Sequence, residues 1–329
     1  MDDSAIVVTD LRKRFGEVVA LDGISFSVPR GTVFGLLGPN GAGKTTAIRI
    51  LTTIIDADAG TASVLGRDVT REQDAVRRII GLAGQYAAVD ELLTGRENLI
   101  MIGRLTHLPR AQIRSRADEL LTRFDLTDAA DRPVRTYSGG MRRRLDLAAA
   151  LVHKPPILFL DEPTTGLDPQ SRSDVWEMIR GLVADGTSVL LTTQYLEEVD
   201  RLASELVVID RGTIIAQGTP TELKSKLGDT VIEMGFDDED TAGKVASTLG
   251  VLDGAKPERE GSLIRLSSSK GARVLVEVLR TLDGAGFVPA SLSVREPSLD
   301  DVFLSITGKH AEPEPQQEPK QLARAGGRR

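Results

Sequence analysis

Short apolar runs alternate with amphipathic helical stretches along most of this chain. Residues 5–9 and 24–28 are apolar and rich in β-branched side chains, which predicts strands. Residues 32–37 form a third apolar run, followed at once by a glycine-rich stretch and then by a predicted helix over 47–53. Residues 71–80 and 110–124 have helical spacing and charge. The spacing predicts another helix over 138–153, with Ser138 able to cap it and Met141, Leu145, Ala148 and Val152 on one face. Pro155 and Pro156 close it. Residues 157–160, 188–192 and 205–210 read as buried strands, with helical stretches between them. Strands alternating with helices predict an α/β fold with a largely parallel sheet.

The pattern changes near Leu227-Gly228-Asp229. Beyond it come a strand (230–236), a helix (241–249), a strand (262–267), a helix (271–284), a strand (288–294) and a last helix after Pro297. That order predicts a small C-terminal α+β domain. The expected division is a first domain over 5–227, an accessory domain over 228–308, and a polar, proline-bearing tail over 309–329 that is expected to be disordered.

Composition narrows the range of functions. The 329 residues suffice for two domains. A formal net charge of −7 argues against nucleic acid as a partner, because a phosphate backbone selects clustered Lys and Arg. With no cysteine, there is no disulfide framework and no cysteine metal site. The start, MDDSAIVVTD, is acidic where a secretion signal is basic, and no run approaches the ~20 apolar residues of a membrane helix. The chain is therefore expected to be cytoplasmic, and to serve a membrane only by docking on another chain.

Two stretches carry chemistry on their own. Gly38-Pro39-Asn40-Gly41-Ala42-Gly43-Lys44-Thr45, followed by Thr46, fits the phosphate-binding loop, and it lies between a predicted strand and a predicted helix as that loop requires. Its glycines let backbone N–H groups turn toward phosphates, and the helix N-terminus adds favourable partial charge. Lys44 is expected to reach the β- and γ-phosphates of ATP, and Thr45 to ligate Mg²⁺. The second stretch is the apolar run ending in Asp161 and Glu162. The first acid of such a pair can hold the Mg²⁺ shell, and the second can polarise an attacking water as general base.

Between them stands Tyr137-Ser138-Gly139-Gly140-Met141. With this third element the chain resembles the ATP-binding subunits of ABC transporters, most of all the daunorubicin-resistance type of drug-export ATPase. The likeness is close over about 5–225. That family's signature usually reads Leu-Ser-Gly-Gly-Gln, so Tyr137 and Met141 depart from it while Ser138, Gly139 and Gly140 keep its centre. The resemblance implies a phosphate-loop NTPase cassette with a helical subdomain. It implies Phe15 as the aromatic stacked on adenine, where the alternative is an ordinary core aromatic. It implies Gln85 as a Mg²⁺ contact and Asp168 as part of a loop crossing a dimer interface. Gln194 stands where most of the family carry a His against the γ-phosphate. An amide can hydrogen-bond phosphate but cannot take up a proton, so a neutral sensor is expected there.

The resemblance further implies a homodimer, or a heterodimer with a related ATPase. In it the Ser138-Gly139-Gly140 segment of one chain closes on the ATP held by the other. A separate permease would carry a drug-like or hydrophobic compound, which puts the chain on the cytoplasmic face of the membrane. The alternative is a soluble ABC-type ATPase with no permease. Arg142-Arg143-Arg144 is expected to form a solvated face or local ion pairs rather than a binding patch. The three histidines fall outside every motif and are expected at surface or helix-end positions.

Overall fold

The computed structural model describes residues 4–84, 88–225, 230–250, 255–268, 273–295 and 298–307. Strands β1 (Ser4–Phe15) and β2 (Val18–Pro29) form a hairpin. Strand β3 (Val33–Leu37) leads through the glycine-rich loop into helix α1 (Lys44–Leu51). Strands β4 (Ala59–Val64) and β5 (Arg67–Asp68) return to the hairpin and give an antiparallel sheet ordered β2-β1-β4-β5. Next come α2 (Gln73–Arg77), β6 (Ile80–Ala83), α3 (Gly95–Leu105), α4 (Arg110–Arg123) and α5 (Gly139–Ala150). The run β7 (Ile157–Asp161), α6 (Pro169–Ala184), β8 (Ser188–Thr193), α7 (Leu196–Leu202), β9 (Glu205–Asp210), β10 (Thr213–Gly218) completes a second sheet, followed by α8 (Pro220–Ser225).

The second sheet is ordered β10-β9-β3-β8-β7-β6, parallel except for β10 at one edge. Every residue of β3, β7 and β8 is buried. Strands covered on both faces read as unbroken apolar runs, which is why the sequence announces these three so clearly. Successive side chains then supply two different cores. Phe34, Leu36, Ile157 and Phe159 pack toward α1 and the antiparallel sheet, where the Phe26 and Phe34 rings stack 5.5 Å apart. Val33, Leu37, Leu158 and Leu160 pack toward the helices, among Leu145, Trp176 and Val199.

The predicted α/β class holds, and the predicted helices appear with shifted ends. Helix α2 covers only the middle of 71–80, because Ile80 already belongs to β6. Helix α3 has no counterpart among the predicted elements, although Thr94 and Glu97 form a reciprocal capping box, which is a readable start signal.

The C-terminal part contains β11 (Thr230–Gly235), α9 (Glu239–Leu249), β12 (Ala255–Glu260), β13 (Leu263–Ser268), α10 (Arg273–Ala285), β14 (Ser291–Arg295) and α11 (Leu299–Thr307). Its antiparallel sheet is ordered β12-β13-β11-β14 and packs on α9 and α10 through Ile232, Met234, Val245, Ile264, Leu266 and Val278. Strand β12 is absent from the predicted elements: its text, Ala-Lys-Pro-Glu-Arg-Glu, has no apolar pattern. It sits at the sheet edge, where a proline is tolerated. Helix α11 leaves this domain and joins the core of the first, with Leu299, Val302 and Phe303 buried beside Leu202 and Leu223. The expected boundary at 227 and the tail from 309 fall on residues outside those described.

Candidate active site

The glycine-rich loop follows the buried end of β3 and passes into α1 without a side-chain cap. Gly43 takes that position at φ 111°, and a Cβ there would lie 2.4 Å from the Ala20 carbonyl oxygen, so only glycine fits. Lys44 follows, with its side chain 4% exposed. Its ammonium donates to the carbonyl oxygens of Gly38 (2.6 Å) and Pro39 (3.1 Å) and stands 3.7 Å from Glu162 Oε1. The loop thus holds a cation beside a run of N–H groups, which suits a polyphosphate.

Strand β7 brings the two acids to this loop. Asp161 is buried, and its Oδ1 accepts from the hydroxyls of Thr192 (2.5 Å) and Thr45 (3.3 Å). Glu162 sits at φ 51°, a left-handed conformation that is unfavourable for a residue with a Cβ and persists only where the surroundings enforce it. Here the Glu162 N–H donates to both the carbonyl and the hydroxyl of Thr192, 3.1 Å each. Its carboxylate points back to Lys44 and accepts from the Thr165 hydroxyl at 3.4 Å. Among the described residues no cluster of three His, Asp or Glu side chains could hold a metal unaided. Thr45 and Asp161 supply two hard oxygen donors side by side, and a shell completed by phosphate oxygens and water is the kind Mg²⁺ prefers.

The remaining expected residues occupy separate elements. Phe15 ends β1 and is 49% exposed, so it is not a core aromatic; the Lys13 ammonium lies 5.6 Å from its ring centre. Ser138 caps α5 by accepting from Met141 N–H at 3.2 Å, with Ser138 and Gly139 exposed. Asp168 caps α6 by accepting from Ser171 N–H (3.1 Å) and the Ser171 hydroxyl (2.6 Å), which hold its carboxyl below the usual range. A Cβ on Gly140 would lie 2.6 Å from Ser171 Oγ, so the two helix N-termini are packed side by side. Gln194 follows β8, and its Oε1 is buried and accepts no hydrogen bond among the described residues. Gln85 lies outside the described residues.

The family departures and the arginine run have structural reasons. Tyr137 is buried and donates to the Ala129 carbonyl at 2.6 Å, and Met141 packs against the helical core. Arg142 pairs with Glu91, and Arg144 with Asp125, as local ion pairs. Arg143 departs from the expected solvated face. Its side chain is only 11% exposed and pairs with Asp146, which is 1% exposed. Burial pushes the Arg143 guanidinium down against the pull of Asp146, and pushes the Asp146 carboxyl up against the Ala88 N–H and Arg143. The readable signal was an aspartate flanked in the chain by Leu145, Leu147 and Ala148. His153 lies in the turn that follows α5, near the expected helix end: Nε2 meets the Ile80 carbonyl at 2.8 Å, and burial lowers its pKa. His107 is exposed, and His310 lies outside the described residues.

Sequence reasoning passed over Glu198. It is wholly buried, with Oε1 accepting from Thr164 Oγ1 (3.0 Å) and Trp176 Nε1 (3.1 Å). Burial raises its pKa despite hydrogen bonds from Thr193, Trp176 and Thr164 and the charge of Arg172. It ties α7 to α6 and to the turn after Glu162.

The chain is similar to known proteins in sequence and in fold. Residues 21–165 match the ABC transporter family, and residues 218–307 match the C-terminal domain of DrrA1-3-like ATP-binding proteins. The daunorubicin resistance ATP-binding protein DrrA2 of Streptomyces coeruleorubidus is 54% identical over 95% of this chain and 98% of its own. The daunorubicin/doxorubicin resistance ATP-binding protein DrrA of Streptomyces peucetius is 50% identical over 94% of each. Among solved structures, an ATP-binding cassette of an ABC transporter in its ADP conformation has a TM-score of 0.60 at 28% identity, over 67% of this chain and 92% of its own. The cbiO1 protein of Clostridium perfringens, part of the ABC transporter complex cbiONQ, gives 0.63 at 27%, over 68% and 92%. Sheet, loop and acids therefore define an ATP-binding and ATP-hydrolysing cassette of the ABC transporter class. Within that class the chain belongs to the daunorubicin-resistance type of ATP-binding proteins.

Proposed function

We propose that this chain powers the export of a drug-like or hydrophobic compound through a separate permease, and does so as a dimer that closes around two ATP. The observation that carries the dimer is the pair of capped helix N-termini at Ser138–Gly139 and Asp168, exposed and packed side by side. An exposed helix N-terminus attracts anions, so that of α5, capped by the neutral Ser138 hydroxyl, suits in a second copy the γ-phosphate of an ATP seated on this chain's loop, while the α6 N-terminus beside it is already filled by the Asp168 carboxylate. The partner is then another copy or a related ATPase. No helix among the described residues is long and apolar enough to cross a membrane, and the relatives named for daunorubicin resistance suggest the kind of cargo. In this reading the chain works at the cytoplasmic face of the membrane, against a permease.

Within one site, Phe15 stacks on adenine and residues 38–46 wrap the phosphates. Lys44 leaves its loop carbonyls for the phosphate oxygens. Mg²⁺ held by Thr45 and Asp161 would neutralise charge on those oxygens. Glu162, fixed by Thr192, polarises the attacking water, and Gln194 donates its amide N–H to the γ-phosphate without changing charge. The test is Glu162→Gln. Removing a general base slows turnover by about 10²–10⁴-fold, while ATP binding persists and the chain runs as a dimer only with ATP and Mg²⁺. A variant that stays monomeric with ATP, alone and in membranes carrying the permease, sinks the dimer reading.

A further inference from the structure

Arg143 spans an unusual set of partners. Its Nε donates to the Pro163 carbonyl at 2.6 Å, and Nη2 to the Asp161 carbonyl at 3.4 Å, on either side of Glu162. Its Nη1 donates to the Gly84 carbonyl at 2.6 Å and to Asp146 Oδ2 at 3.1 Å. Asp146, one turn further along α5, accepts the Ala88 N–H at 2.8 Å through its other oxygen. One largely buried ion pair on the helix that Ser138 caps therefore grips the backbone at Gly84, at Ala88 and on both sides of the catalytic glutamate. Arg142 and Arg144 do nothing comparable: their side-chain partners are Glu91 and the Arg135 carbonyl, and Asp125 with the Phe124 and Asp125 carbonyls.

We infer that Arg143, seated by Asp146, is a positioning residue for ATP hydrolysis. It fixes the Asp161–Pro163 turn to the helix that Ser138 caps and to the end of β6, so that displacement of either moves Glu162. The planar guanidinium is what makes this possible, because its donors reach several carbonyls at once; an ammonium is a point donor and cannot span them. Glu162 needs such support because its backbone is left-handed; Thr192 holds its N–H, and Arg143 holds the carbonyls on either side of it. This inference rests on Glu162 acting as general base, as proposed above.

Two variants of the full chain separate positioning from mere stability. Arg143→Lys keeps the charge opposite Asp146 and loses the fork. Arg143→Met combined with Asp146→Asn leaves no buried charge unpaired, and the amide oxygen of the second substitution can still accept from the Ala88 N–H. Steady-state hydrolysis, thermal unfolding and amide hydrogen exchange are measured on both, with Glu162→Gln as reference. The expected result is a fall in kcat of about tenfold or more, as displacement of a catalytic group produces, with KM for ATP within about twofold and melting close to wild type. Exchange rises together at 82–84, 88–90 and 162–165. Unchanged kcat in both folded variants overturns the inference, as does faster exchange confined to α5. If instead Glu162→Gln hydrolyses at the wild-type rate, the general-base reading fails, and the exchange data alone then decide whether Arg143 couples the three segments.

Discussion

Gln194 follows β8, with its amide oxygen buried and accepting nothing among the described residues. If its amide donates to the γ-phosphate, Gln194→Ala removes a hydrogen bond to a charged group, about 1.5–3 kcal/mol. That corresponds to a kcat roughly 10–100-fold lower, with Gln194→His retaining activity. A wild-type rate for Gln194→Ala in a steady-state assay removes the sensor role. Glu198 makes a different kind of prediction. Glu198→Ala leaves the Trp176 N–H and the Thr164 hydroxyl without their acceptor, at about 1–3 kcal/mol each. Glu198→Gln keeps an acceptor in place and, since burial already favours the neutral acid, stays close to wild type in urea unfolding. Equal losses in both variants would show that the charge itself matters there.

Helix α11 is the element whose role was least readable. The sequence shows only an amphipathic stretch after a proline, whereas the structure makes it the strap between the two domains. Its buried apolar side chains lie in the first domain's core, and its first turn is tied to the second domain. There Arg295 bonds Asp301 at 2.8 Å and Glu233 at 2.9 Å, while Ser298 and Asp301 cap the helix reciprocally. Burial alone would raise the Asp301 and Glu233 pKa values. Arg295, with Ser298 at Asp301 and Arg265 at Glu233, outweighs it and holds both below the usual range. Groups whose folded pKa is depressed add stability above their unfolded values, about 3.9 and 4.3, and lose it as pH falls through the lower folded values. Arg295→Met should therefore melt below wild type at pH 7, and the gap should shrink as pH drops below about 4. A gap that stays constant down to about pH 3 would assign the effect to packing. Phe303→Ala, emptying a buried site, should cost about 3–5 kcal/mol in denaturant unfolding.

At the scale of the whole molecule the prediction concerns completeness. If a working site needs the loop of one chain and the Ser138 helix of another, Lys44→Ala and Ser138→Arg are each inactive alone. Mixed, they form dimers in which the intact loop of one faces the intact helix N-terminus of the other, and hydrolysis returns. No recovery on mixing, with both variants folded and able to bind each other, would mean each chain is complete by itself. How much of this was legible beforehand follows from how local each feature is. The phosphate loop, the acids after an apolar strand and the capped Ser-Gly-Gly helix are short stretches whose conformation is set by neighbours in the chain, so the sequence alone determined the class of fold and the core of the site. The six-strand order, the edge strand β12, the crossing of α11 and the inward turn of Arg143 depend on which surfaces meet after folding. A charged segment such as 255–260 carries no periodicity to read, and an arginine beside two others looks solvated until a buried aspartate and three backbone carbonyls surround it. Those were decided only by the tertiary structure, because burial and the pairing of polar groups within it are properties of the assembled fold.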